Sequence, residues 1–289
     1  MVYQASPIKR NRATKAEMRA RADFLISYAK THPPVTVRQL FYAATVVGLI
    51  EKSESGYCKV QAQTLSLRRE GRLPYHCIAD ATRYMRKAAS FDGWEDALAD
   101  TAKIYRKNLW ADTDLEVEIW LEKSALAGVL MPVTEEFDVP LMPTGGYTSE
   151  TFAHEAVNRL KGTGRTLIVY SLYDFDRSGR DATASLKEKV ERFGSEYGVP
   201  VIFDALGLTE AQVTKLNLPT RPAKRKTTAD KRWPFSFAAE LDAIPPDTLR
   251  AIVREAIERH LPAHELAFLK KVEAAERKTL LEFIGREAQ

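Results

Sequence analysis

Thr166-Leu167-Ile168-Val169-Tyr170-Ser171-Leu172-Tyr173 runs almost wholly apolar into Asp174-Phe175-Asp176, with Gly179 close behind. An apolar run of this length, stopped by acidic residues, predicts a central strand of a parallel sheet covered on both faces. On its N-terminal side, Val117, Ile119 and Leu121 alternate as in a strand, and Leu126, Val129, Leu130 and Val133 follow at helical spacing. A short apolar stretch (Val139 to Met142), a Gly145-Gly146 turn and a helix capped near Ser149 complete the approach to it. On its C-terminal side a helix from about Asp181 to Phe193 leads to a further strand, Val199 to Leu206. Strand and helix in alternation predict an α/β domain.

The residues ahead of this domain read as short helices. Lys15 to Lys30 places Met18, Leu25, Ile26 and Ala29 on one face, and His32-Pro33-Pro34 ends the run. Thr36 and Gln39 are spaced as a capping box for a second helix, which Gly48 closes near Val47. A third helix is predicted from Tyr57 to Glu70, stopped by Gly71, with Arg68, Arg69 and Arg72 near its end. Leu73 to Ile78 reads as a short extended wing. Helix, turn, basic helix and wing together describe a winged-helix module that sets a helix into a DNA groove.

The 289 residues, 45% of them hydrophobic, suffice for two cores, expected over 1–110 and 111–289. The second carries a helical C-terminal extension from about 240. There Asp247 is expected to cap a helix after Pro245-Pro246, and Leu266, Leu269, Val272, Leu280 and Phe283 form the stripe of a last one. With 43 basic against 39 acidic residues the net charge is only +4, so attraction to nucleic acid has to come from local patches. Such patches are the N-terminal arm (Lys9, Arg10, Arg12), the Arg68–Arg72 cluster and the basic loop from Thr220 to Trp233. Cys58 and Cys77 are the only cysteines, too few for a disulfide scaffold or structural zinc, and they suit a reducing cytoplasm. MVYQASPIKRNR lacks the apolar core of a signal peptide, and no apolar run approaches the roughly 18 residues that span a bilayer.

Glu122 falls just past one predicted strand and Asp174 and Asp176 just past another, where ligands gather in open parallel sheets. Three carboxylates brought close resist joint ionisation, and a hard cation such as Mg²⁺ relieves them. A lone DxD is more often a surface turn with a helix cap; a glutamate at a matched strand end shifts the balance toward metal binding.

Glu122-Lys123-Ser124-Ala125-Leu126 followed by Asp174-Phe175-Asp176-Arg177-Ser178-Gly179 resembles the toprim signature of topoisomerases and certain nucleases and primases. More narrowly, VEIWLEKSALAGVL (117–130), LMPTGGYTSETF (141–152) and IVYSLYDFDRSG (168–179) resemble the toprim domain of the topoisomerase VI A subunit and its relative, the meiotic double-strand-break protein. The similarity is closest to short, stand-alone bacterial and phage relatives and spans most of residues 35–244. It implies a winged helix followed by a Rossmann-like toprim sheet, Mg²⁺ (or Mn²⁺) on Glu122, Asp174 and Asp176, double-stranded DNA as substrate, and a homodimer. An ATP-binding B-type subunit is a further implied partner, and this chain has no P-loop of its own.

In that resemblance Arg38-Gln39-Leu40-Phe41-Tyr42 stands where the family has an arginine followed by a tyrosine pair whose second member is the nucleophile. Tyr42 takes the second position, and Phe41 replaces the first. Arg38 and Tyr42 are four apart on one helix and share a face, with Leu40, Phe41 and Val47 free to face the core. A guanidinium beside a phenol, which otherwise titrates near pH 10, favours the phenolate. The resemblance implies attack by Tyr42 on a phosphodiester to give a 5′-phosphotyrosyl link and a 3′-hydroxyl. A metal-dependent nuclease with an incidental Tyr42, and a non-catalytic winged-helix DNA-binding protein, are the alternative readings. Glu240 is expected to cap a helix or to support the metal site. Arg83 is expected to form a salt bridge or to touch phosphate, and His76, His154 and His260 have no partners at metal spacing.

Overall fold

The computed structural model describes residues 13–79, 87–261 and 263–287. Lys9, Arg10, Arg12 and Arg83 lie outside them. The described chain is mixed α/β, with a helical N-terminal region, a parallel sheet and C-terminal helices. Its two compact units divide after Ile78, ahead of the expected boundary at 110, because the helix Trp94–Ile104 packs on the last helix of the second unit.

In the first unit, α1 (Lys15–Thr31) opens on a capping box between Thr14 and Glu17 and buries Ala22, Leu25 and Ala29, leaving Met18 at the surface. Helix α2 (Val37–Val46) opens on the expected box. The Gln39 N–H donates to the Thr36 hydroxyl and the Thr36 N–H to the Gln39 side chain, each at 3.0 Å. Leu40 and Phe41 face the core, whereas Val47 stands exposed past the helix end. Helix α3 (Glu54–Arg69) begins three residues earlier than predicted, because the Ser53 hydroxyl caps it by accepting from the Gly56 N–H. Gly71, at φ +71°, ends it in the left-handed turn that glycine adopts without strain.

The expected wing at Leu73–Ile78 is not an extended strand. Pro74 turns the chain into one 3₁₀ turn (Tyr75–Cys77), where the Cys77 and Ile78 N–H groups donate back to the Pro74 and Tyr75 carbonyls. Those local bonds take the donors a ladder needs, and only Ile78 pairs, in parallel, with Val35.

The second unit begins with α4 (Trp94–Ile104) and then alternates: β1 (Leu115–Leu121), α5 (Ala127–Glu136), β2 (Leu141–Pro143), α6 (Glu150–Asn158), β3 (Thr166–Leu172), α7 (Arg177–Tyr197) and β4 (Val201–Gly207). All neighbours pair in parallel in the order β2-β1-β3-β4, a Rossmann-like arrangement. β1 and β3 run in register from Leu115 opposite Thr166 to Leu121 opposite Leu172, so Glu122 and the residues after β3 leave the sheet side by side. On one face Trp120, Leu167 and Val169 pack with Ala153, Ala156 and Val157 of α6 and Leu186, Val190 and Phe193 of α7. Each buried Val, Leu or Phe side chain among them contributes about 1.5–3 kcal/mol.

Past β4 lie α8 (Glu210–Lys215), β5 (Arg221–Pro222), α9 (Thr228–Lys231) and β6 (Phe237–Ala238). The stretch expected to be a plain loop is thus a small antiparallel clasp of β5 on β6, held where the Arg225 guanidinium donates to the Trp233 and Phe235 carbonyls at 2.7 Å each. α10 (Pro246–Glu258) opens on Pro246 without a side-chain cap, and Asp247 pairs with Arg250 instead of capping. In α11 (Ala263–Glu287) Leu266 is buried while Phe283 is exposed, so the predicted stripe is covered only in part. Among the described residues no helix is long and apolar enough to cross a membrane.

Thr36→Ala removes the hydroxyl that starts α2, at a cost of about 1 kcal/mol. Urea unfolding is expected to show that loss, with faster amide exchange confined to the first turn of α2; an unchanged midpoint contradicts the capping role.

Candidate active site

Glu122 follows β1 and Asp174 follows β3, and the strand register brings them together: the Asp174 N–H donates to Glu122 Oε2 at 2.9 Å. Asp174 is tied down further. Its Oδ1 accepts from the Leu241 N–H at 2.8 Å, and its Oδ2 lies 3.0 Å from the Lys123 ammonium. Lys123 also reaches Asp242 at 2.9 Å and Glu240 at 3.3 Å. Glu240 precedes a 3₁₀ turn (Leu241–Ala243) without capping it, so the capping role expected of Glu240 gives way to an ion pair with Lys123.

Asp176 turns elsewhere. Its Oδ1 caps α7 by accepting from the Gly179 N–H at 2.9 Å, and its Oδ2 pairs with Arg221 at 2.7 Å. The cap starts α7 at Arg177, ahead of the expected start near Asp181. Gly179 serves close approach: a Cβ there would stand 2.3 Å from the Asp174 carbonyl oxygen. Thus Glu122 and Asp174 are brought together, while among the described residues no group of three acidic, histidine or cysteine side chains is gathered to hold a metal ion.

Burial pushes the Glu122 carboxyl up, opposed by the hydrogen bond from Asp174 and reinforced by the charge of that residue. Burial also pushes Asp174 up, against the pull of Lys123 and the Leu241 N–H. For Lys123 burial works against the charge, yet Asp242, Asp174 and Glu240 outweigh it and keep the ammonium protonated well above its ordinary range. An oxygen-only donor set at two strand ends, with both carboxylates penalised for ionising, fits a hard divalent cation. Lys123 and Arg221 already supply part of the positive charge that the clustered acids require.

The Gly145-Gly146 turn borders the site, its Gly145 N–H donating to the Glu122 carbonyl at 3.1 Å and both glycines at positive φ. Tyr173 steadies that turn, its hydroxyl 2.6 Å from Thr144 Oγ1 and 3.3 Å from the Gly146 carbonyl. Lys123, Arg221 and Asp242 were given no role at this site by sequence reasoning, although Lys123 lies in the quoted signature, Arg221 in the basic stretch from Thr220 to Trp233, and Asp242 two residues past Glu240.

In the first unit Tyr42 is 4% exposed, with the Lys52 ammonium 5.3 Å from its ring centroid and Phe41 tilted against it. Arg38, one turn earlier, places its guanidinium 4.6 Å from the Tyr57 ring centroid. Of the basic cluster, Arg68 lies over Tyr75 at 4.4 Å, Arg72 pairs with Asp23 and Glu70, and Arg69 is exposed. His154 packs on Phe193 and Tyr197, and His260 bonds the Tyr170 hydroxyl at 2.8 Å, so both are structural. A comparison with protein-family models finds none that matches this chain, and a comparison with curated proteins finds no match.

Because the folded-state pKa of Glu122 lies above its unfolded value near 4.3, the native state holds the extra proton between the two. Its ionisation therefore costs stability as pH rises through that window. Glu122→Gln removes the cost while the amide oxygen still accepts the Asp174 N–H. In EDTA the variant is expected to gain stability over wild type as pH rises from about 4, measured by urea unfolding; a difference that does not grow with pH contradicts it.

Proposed function

We propose that this chain cleaves double-stranded DNA by tyrosine transesterification, in the manner of the topoisomerase VI A subunit, with a helical DNA-binding first unit that lacks the strand of a wing and a toprim second unit. The observation that carries the reading is the pairing of Glu122 with Asp174 at the carboxyl ends of adjacent parallel strands, where open α/β sheets bind ligands. Support for the nucleophile comes from the capping box that starts α2 and sets Arg38 and Tyr42 one turn apart.

On this reading the Tyr42 phenolic oxygen attacks phosphorus and the bond to the 3′ oxygen breaks. The 5′ phosphate stays on the tyrosine, and the proton lost by the phenol is balanced by one gained by the departing 3′ oxygen. Arg38 favours the phenolate and steadies the charge of the phosphate. Mg²⁺, or Mn²⁺ in its place, would be held by Glu122 and Asp174, with Asp176 joining them on leaving Arg221, and would supply positive charge for the phosphodiester oxygens. Arg68, Arg69 and Arg72, with Lys9, Arg10 and Arg12 of the arm, contact phosphates. The protein acts as a cytoplasmic, nucleoid-associated homodimer in which the tyrosine of one protomer serves the acidic site of its partner. An ATP-binding B-type subunit supplies any strand passage.

The burial of Tyr42 favours a second reading, hydrolysis at the acidic site with Tyr42 as a core aromatic. Supercoiled plasmid incubated with Mg²⁺ and resolved with and without protease separates the two. Transesterification is expected to give linear or nicked DNA with protein on its 5′ ends. Tyr42→Phe then falls to background, as does Asp174→Ala, with circular dichroism verifying the fold of each. Cutting by Tyr42→Phe with free 5′ ends establishes the nuclease, and DNA left intact by wild type with either metal overturns both.

A further inference from the structure

Beside the carboxylates, β4, the first turns of α7 and the segment after α9 enclose a cavity of about 340 Å³, within the range of small-ligand sites. Its wall is aromatic. Phe175 lies 4.9 Å from both Trp233 and Phe235, and those two are 5.2 Å apart, centroid to centroid. Trp233 and Phe175 are buried, while Phe235 is half-buried. Small residues, Ala205 and Gly207 of β4 and Ala184 of α7, line it as well, together with Phe203.

Two features make this more than an apolar hollow. Asp174 and Asp176 belong to the same lining, so the cavity is continuous with the acidic site. Arg180 and Lys187, two turns apart on one face of α7, also line it, each with about half its side chain exposed (47% and 49%). Arg180 stands 5.1 Å from the Trp233 ring centroid, a cation held over the aromatic wall. Aromatic faces beside cations, continuous with a site for phosphodiesters, match the chemistry of a base that has left its stack: the ring stacks and the phosphate meets the cations. An aliphatic ligand has no use for the cations.

We propose that this cavity takes one unstacked nucleobase of a bound strand, stacked against Phe235 with its phosphate toward Arg180 and Lys187. The inference rests on the reading of the neighbouring site as one that acts on DNA. It gives the protein a preference for gapped, mispaired or single-stranded segments, where freeing a base costs least.

The test uses the full chain and labelled oligonucleotides, single-stranded and fully paired, with fluorescence anisotropy for affinity. Phe235→Ala is expected to weaken single-strand binding roughly tenfold while paired duplex changes less than about twofold, and Phe235→Trp retains binding. Ala205→Phe fills the cavity from the exposed edge strand and leaves every residue of the aromatic cluster in place, so its matching loss of affinity does not depend on how Phe235→Ala folds. Photocrosslinking of a single 5-iododeoxyuridine, mapped by mass spectrometry, is expected at Phe235 or Trp233. Wild-type affinity in both cavity variants, or crosslinks confined to other segments, overturns the proposal while leaving the DNA reading intact. 5-Iododeoxyuridine monophosphate that crosslinks to Phe235 when the oligonucleotide does not overturns the strand in favour of a free nucleotide. No binding of any DNA overturns the parent reading and this one together.

Discussion

The Lys123 ammonium, between Asp174, Asp242 and Glu240, is the contact on which the geometry of the second unit's acidic end depends. It lies next to Glu122 in the chain, so it fixes the end of β1 to the end of β3 and both to the turn at Leu241–Ala243. Buried ion pairs add little net stability over apolar packing, but losing one partner strands the others and costs about 3–5 kcal/mol. Asp242, with its side chain 3% exposed, is the most costly to strand. The ammonium thus acts as a locator: only with the three segments in this register do all the charges find partners. Two backbone features repeat the instruction, the Leu241 N–H on Asp174 and the reciprocal hydrogen bonds of Phe175 with Ala239.

That arrangement sets the terms for any added cation. Glu122 and Asp174 are raised by burial, so their joint ionisation is held in check even with Lys123 present. On the proposed reading a divalent cation adds charge where the deficit is largest, between the two strand ends. Lys123 retains Asp242 and Glu240 as partners when Asp174 turns to the metal, whereas Arg221 balances Asp176 alone. The basic side chains around the acids then serve two states of one site.

How far the sequence was legible follows from the range of each interaction. The alternation of β1, α5, β3 and α7 is carried by side-chain periods of two and 3.6 residues, and these were readable because burial on a sheet face imposes them directly. Thr36 with Gln39 was readable because a capping box is a contact three residues long. The start of α3 was misplaced because Ser53 outweighed the apolar pattern that pointed to Tyr57. The wing failed at Pro74, where a local turn consumed donors that an extended reading assumed free. The partners of the acidic residues were out of reach for a different reason. Lys123 meets Asp242 across 119 positions and Arg221 meets Asp176 across 45, and no local pattern encodes either pairing.

The tripeptide Asp174-Phe175-Asp176 explains why acid site and aromatic wall come as one construction. Asp174 binds the 240–242 turn and Lys123, Phe175 bonds Ala239 while its ring joins Trp233 and Phe235, and Asp176 starts α7 and holds Arg221. A DxD that merely turned at the surface has no need of a ring between its acids, and Phe175 is 9% exposed. The ring packs on Trp233, Phe235 and Phe237, so the residue between the acids fixes the aromatic wall while the acids fix the charged turns. One strand end therefore positions both, and a substitution at Phe175 acts on the wall without removing a charge.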